Sequence, residues 1–122
     1  MVSYAIVREL AISTEQVSPT ESILALTGEI DLYTCPELKT ELLRVIEDGA
    51  TFVVVDLSGT TFIDSTGLAV LIRGAERLRM NDGRLAVVCV DPNLKKIFEV
   101  TGLDRIFSIY ASRDEALVQA SS

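Results

Sequence analysis

Two short apolar runs constrain this chain more than any other feature. Phe52-Val53-Val54-Val55 ends at Asp56, and Leu85-Ala86-Val87-Val88-Cys89-Val90 ends at Asp91. Both are continuous and rich in β-branched residues, with none of the polar alternation of a half-exposed strand. Such runs suit strands covered on both faces. A helical pattern follows each, so both read as βα units and predict a parallel pair.

The remaining elements fall around that pair. Ser22 to Ile30 reads as a further strand, with Tyr4 to Ile12 paired to it. Glu15–Glu21, which contains Pro19, reads as the loop between them. Arg105 to Tyr110 reads as a short last strand. The first helix should open at Thr34, with Glu37 completing a capping box and Pro36 in the first turn. Its buried stripe is Leu38, Leu42, Val45 and Ile46, and Gly49 follows its end. The second helix carries Leu68, Leu71, Ile72, Ala75 and Leu78 inward. The third starts at Asp91-Pro92, turns Leu94, Ile97 and Phe98 inward, and stops at Gly102. The last starts at Ser112, with Glu115 in a second capping box. The order is β-β-α-β-α-β-α-β-α, an α/β chain with one layer of sheet and helices on one or both faces. A length of 122 residues suits one domain, expected over 1–122 with its core at about 4–118.

Composition excludes several function classes. There are 11 basic and 18 acidic residues, a net charge of −7, so nucleic acid and anionic membrane surfaces are poor partners. With no His, the commonest general base and zinc ligand is missing. Cys35 and Cys89 are too few for a disulfide scaffold or a thiolate metal site. No Gly-rich phosphate loop is present, so no nucleotide cofactor is expected. Met1 to Leu10 includes Arg8 and Glu9 and lacks a signal-peptide core, and no apolar run approaches a membrane span. The expectation is a cytoplasmic protein with no catalytic residue, cofactor or metal of its own.

Chemistry concentrates in Phe62-Ile63-Asp64-Ser65-Thr66-Gly67-Leu68, between a buried strand and an amphipathic helix. Asp64 or Ser65 should cap the helix, beside backbone N–H groups that tolerate an anion. Ser65 and Thr66 add two hydroxyls. Taken alone, the segment is better accounted for by a purely structural reading, a good cap with Gly67 easing a turn. A second cluster, Gly28-Glu29-Ile30-Asp31, ends a strand and could turn Glu29 and Asp31 to one side; alone it reads as a solvated strand end. Arg73, Arg77 and Arg79 read as a solvated helix face, and Cys89 as an inert core thiol.

Taken together, the two clusters resemble the STAS family, and in particular the bacterial anti-sigma factor antagonists. The segments that carry the resemblance are Leu26–Asp31, Val53–Leu57, Phe62–Leu71 and Phe98–Asp104, with Ala69 where the family often has Gly. It implies a small mixed sheet with about four helices packed mainly on one face. It also implies that the unphosphorylated protein binds an anti-sigma factor serine kinase and so frees a sigma factor. The kinase then phosphorylates Ser65, with Thr66 as second choice, and a metal-dependent Ser/Thr phosphatase resets the switch. Asp31, Asp64, Ser65, Thr66 and Gly67 are the implied contact residues. Two alternatives stay open: a non-switching scaffold domain, and a receiver-like phosphotransfer domain in which Asp56 would be the acceptor.

Overall fold

A computed structural model describes residues 10–120. Five strands, β1 (Leu10–Ser18), β2 (Glu21–Ile30), β3 (Phe52–Ile63), β4 (Arg84–Val88) and β5 (Ser108–Tyr110), form one sheet in the order β1-β2-β3-β4-β5. β1 is antiparallel to β2, and the other three pairings are parallel. The helices are α1 (Cys35–Glu47), α2 (Ser65–Arg79), α3 (Pro92–Thr101) and α4 (Arg113–Ala120), with a 3-10 turn at Leu103–Arg105.

The two apolar runs pair with one another in parallel, from Phe52 against Arg84 to Asp56 against Val88. Alternation along them sorts side chains onto two faces. Leu24, Val53, Val55, Leu85 and Val87 lie in the larger core, with Leu38 and Leu42 of α1, Leu71 and Leu78 of α2, and Leu94 and Phe98 of α3. Ile23, Phe52, Val54, Ala86 and Val88 face the other way, under Ala116 and Leu117 of α4. Three helices therefore cover one face and one covers the other, the mixed α/β arrangement expected. Within α2, Leu71, Ala75 and Leu78 are buried, while Leu68 and Ile72 are half-buried against the same core.

Several boundaries differ from the sequence reading. Glu15 to Ser18 is strand, not loop: Glu15 pairs with Ile23 and Ser18 with Glu21, leaving Pro19-Thr20 as the turn. β1 is an edge strand, and an edge accepts polar residues on both faces, so its far half carries no hydrophobic pattern. The expected strand segment Tyr4 to Glu9 lies outside the described residues. β3 runs to Ile63, well beyond Asp56, because it keeps pairing with β2 after β4 has ended. Val90 and Cys89 lie past the end of β4, and Arg105 belongs to the 3-10 turn rather than β5.

The ends of α3 and α4 follow their sequence signals. Asp91 accepts a hydrogen bond from the Asn93 N–H at 2.9 Å, and Gly102 takes the left-handed conformation (φ 75°) that ends α3. Ser112 Oγ accepts from the Glu115 N–H at 3.1 Å, and the Glu115 carboxylate accepts from the Ala111 N–H at 3.1 Å, one residue upstream of a standard box. Arg113 in the first turn of α4 donates to Asp56 at 2.5 Å and ties the lone back helix to the central strand.

Candidate functional site

The two clusters singled out in the sequence meet at the ends of β2 and β3. Ile30 pairs with Ile63, and the Asp64 N–H continues the ladder by donating to the Ile30 carbonyl at 3.0 Å. The turn at residues 31–34 and the head of α2 thus emerge side by side from two central parallel strands. In open α/β sheets that carboxyl end is where binding sites gather.

At α2 the cap is Asp64, not Ser65. Its backbone is extended and its Oδ1 accepts from the Thr66 N–H at 3.0 Å and the Gly67 N–H at 3.1 Å. The Thr66 hydroxyl donates to the same oxygen. Partial burial pushes the Asp64 carboxyl upward, but the Thr66 hydroxyl and the N–H groups of Gly67, Thr66 and Leu32 outweigh it. The net result holds Asp64 below the usual aspartate value.

Ser65 is the first helical residue and is exposed. Among the described residues its hydroxyl has no hydrogen-bond partner, whereas that of Thr66 is used by Asp64. Gly67 is buried, not a surface contact. A Cβ there would lie 2.5 Å from Ile30 Cγ2 and 2.8 Å from Ile63 Cγ1, so Gly67 lets the helix start close against β2 and β3.

Asp31 is only 3% exposed. Its Oδ1 accepts from the N–H groups of Tyr33 at 2.9 Å and Thr34 at 3.0 Å, so the carboxylate braces its own turn. The expected pairing of Glu29 and Asp31 on one side does not occur: the strand ends at Ile30, alternation stops there, and Glu29 is exposed while Asp31 turns inward. The capping box at Thr34 is absent as well. Thr34 is buried, and its hydroxyl turns back to donate to the Glu29 carbonyl at 2.8 Å while accepting from the Asp31 N–H at 2.9 Å. α1 begins without a side-chain cap, although Pro36 does occupy its first turn.

The turn braced by Asp31 presents Leu32, 62% exposed, and Tyr33, 80% exposed. Phe62, opposite Glu29 near the end of β3, is also exposed. Sequence reasoning missed these residues. The available signal was an apolar pair, Leu32-Tyr33, between a strand and a helix start, where no periodicity gives it a buried partner.

This arrangement is suited to being bound and modified. Among the described residues no general base is hydrogen-bonded to Ser65, and the neighbouring carboxylate is engaged by amides. Among the described residues no three His, Cys, Asp or Glu side chains gather as a metal site, and no helix is long and apolar enough to cross a membrane. Asp56 has a different use. Desolvation raises its carboxyl, but Ser58 and Arg113 overcome that and hold it below the ordinary range. Its side chain is 7% exposed in an ion pair with Arg113, which leaves it a poor phosphoacceptor. Cys89 is buried and desolvation raises its thiol, as suits a core residue.

The chain is 34% identical over 82 residues to the anti-sigma-B factor antagonist of Staphylococcus aureus, covering 67% of this chain and 76% of that protein. A crystal structure of an anti-sigma factor antagonist from Mycobacterium paratuberculosis superposes with a TM-score of 0.86 at 30% identity, covering 93% and 96% of the two chains. SpoIIAA shares the fold in its unphosphorylated form, with TM-score 0.80, 22% identity and coverage of 91% and 96%. The phosphorylated Bacillus protein gives 0.72 at 21% identity, covering 90% and 99%. The STAS domain profile matches residues 11–116. With that profile spanning most of the sequence, the chain belongs to the STAS domain family.

Proposed function

We propose that this protein is a cytoplasmic anti-sigma factor antagonist. Its unphosphorylated form binds an anti-sigma factor serine kinase and releases the sigma factor, and phosphorylation of Ser65 turns that binding off. The observation that carries the reading is the exposed, unengaged Ser65 hydroxyl at the head of α2, beside the exposed Leu32 and Tyr33. The names of the relatives point the same way.

In the phosphorylation step Ser65 Oγ attacks the γ-phosphorus of the kinase's ATP. An Oγ–P bond forms, the bond to the leaving ADP breaks, and the hydroxyl proton passes to a base on the kinase. The positive end of the α2 helix dipole favours the new anion. The phosphate brings about −1.5 to −2 charges, next to the ionised Asp64 and at the edge of the Leu32–Tyr33 surface. Charge and bulk there oppose an apolar contact, and a metal-dependent Ser/Thr phosphatase restores the hydroxyl. Ser65, Leu32 and Tyr33 touch the partner, with Thr66 at the margin. Asp31, Asp64 and Gly67 act by holding that surface in place.

The test is mass spectrometry after incubation with the partner kinase and ATP, for the parent protein and Ser65→Ala. Phosphate on Ser65, absent from the variant, supports the reading, provided the modified form loses affinity for the kinase. Phosphate only on Thr66 moves the switch by one residue. No phosphate, with equal partner binding by the parent, Ser65→Ala and Ser65→Asp, leaves a non-switching scaffold instead.

A further inference from the structure

A groove runs between α1 and α2, on the outer side of the helical layer and away from Ser65. Its floor is Leu42, Leu43, Val70 and Gly74, its rim carries Lys39, Arg73 and Arg77, and its volume is about 270 Å³. Gly74 shapes the floor: a Cβ there would stand 2.5 Å from Leu42 Cδ2. Arg73 and Arg77 also border a shallow hollow that continues along α2 to Met80, which is 85% exposed. From Val70 to Met80 the surface extends ~15 Å at ~1.5 Å per helical residue.

The charge of this groove runs against that of the chain. The protein has a net charge of −7, yet three cations converge here around an apolar floor. Among the described residues Lys39 and Arg73 form no ion pair. Arg77 has only a 3.8 Å contact with Glu47, both side chains being more than half exposed, and such pairs are weak. Arg44, on the same helix as Lys39, shows the contrast: Glu41 and Asp48 hold it in two ion pairs. The cations of the groove remain available to a ligand.

Size and shape narrow the ligand. A cavity of about 270 Å³ falls just under the ~300–1,000 Å³ of small-molecule pockets. It accepts an apolar side chain rather than a whole metabolite. A basic-rimmed channel between two helices, about two helical turns long and continued along α2 by an open hollow that Glu76 also lines, fits an amphipathic helix whose apolar residues recur at i, i+3, i+4 and i+7. We infer that the α1–α2 groove is a docking site for an acidic amphipathic helix of another protein, with its apolar face in the groove and its carboxylates on Lys39, Arg73 and Arg77. The site does not depend on the reading of Ser65, because the first turn of α2 lies outside it.

The experiment titrates the full ¹⁵N-labelled protein with a capped peptide of about four helical turns, Leu on one face and Glu elsewhere. Two controls replace every Glu with Gln, or every Leu with Ser. Amide shifts are expected at residues 39–43 and 70–81 with the parent peptide and with neither control. Arg73→Glu combined with Arg77→Glu should weaken binding at least about tenfold while leaving the urea melt nearly unchanged, since both positions lie on the outer face of α2. Absence of binding overturns the inference, as does equal binding by the Gln peptide, which would mean plain apolar adhesion. Shifts confined to residues 31–34 and 65–67 overturn it too. So does a dimer in sedimentation that buries the groove, since the occupant would then be a second copy of the chain.

Discussion

The heads of α1 and α2 use the same residue types to opposite ends. Each follows a central parallel strand, and each places an aspartate and a hydroxyl residue at the strand-to-helix turn. At α1 everything is spent internally: Asp31 accepts from its own turn, and the Thr34 hydroxyl is buried between the Glu29 carbonyl and the Asp31 N–H. At α2 Asp64 is spent in the same way on Thr66 and Gly67. Ser65, one residue on, keeps its hydroxyl outward. A capping sequence carries a modifiable group only where one hydroxyl exceeds what the cap consumes. The closed head still contributes, because its braced turn displays Leu32 and Tyr33 next to the open one.

That comparison can be broken at graded cost. Gly67→Val should be the most damaging change, since its first carbon already overlaps Ile30 and Ile63. Overpacking of this kind costs about 3 kcal/mol at its upper range, read as a lower urea midpoint; a neutral result would mean that the α2 head can move off the sheet. Asp31→Ala should follow at ~2 kcal/mol, because it strips the buried Thr34 N–H and the part-buried Tyr33 N–H of their acceptor. It should also weaken partner binding through the Leu32–Tyr33 turn. If stability falls and binding does not, the turn is no part of the contact.

Asp64→Ala should cost ~1 kcal/mol as a lost cap, with a pH signature. The folded carboxyl is held below its ordinary value, so its contribution is present above the unfolded pKa of about 3.9 and is lost as pH falls through the depressed folded value. The gap between parent and variant melts should therefore close in acid. A gap that persists unchanged well below the unfolded pKa would show that the carboxylate charge is irrelevant. Ser65→Ala should be the mildest, under ~0.5 kcal/mol, because Ser65 neither caps nor packs. A larger loss would mean that the open head is braced after all.

Legibility in the sequence follows how each element is stabilised. The two β-branched runs, the stripes of α1 to α3 and the caps at Asp91 and Ser112 are local patterns, and local patterns survive in a linear chain. β1 beyond Thr14 is held by an edge ladder and β3 beyond Asp56 by pairing with β2 alone. Neither leaves a hydrophobic signature, so the sequence reads one as loop and cuts the other short. At the site, Asp64 and Ser65 are legible because capping is local chemistry. Asp31 reads correctly as their neighbour but with an outward carboxylate, since whether an aspartate faces solvent or its own turn depends on Thr34 and Glu29 in three dimensions. The role of Gly67 is equally hidden: its neighbours Ile30 and Ile63 come from two strands.

The bonds inside the 31–34 turn bear on the kinetics of any encounter at this surface. They fix the exposed Leu32–Tyr33 turn before a partner arrives, and the Ile30–Asp64 bond fixes the neighbouring head of α2 to the sheet. Association there needs no ordering step, so its rate is set by the mutual orientation of two rigid patches. For a docking event of that kind the scale is on the order of 10⁵–10⁷ M⁻¹ s⁻¹, and differences in affinity among variants of Leu32 and Tyr33 should appear chiefly in how long the complex lasts.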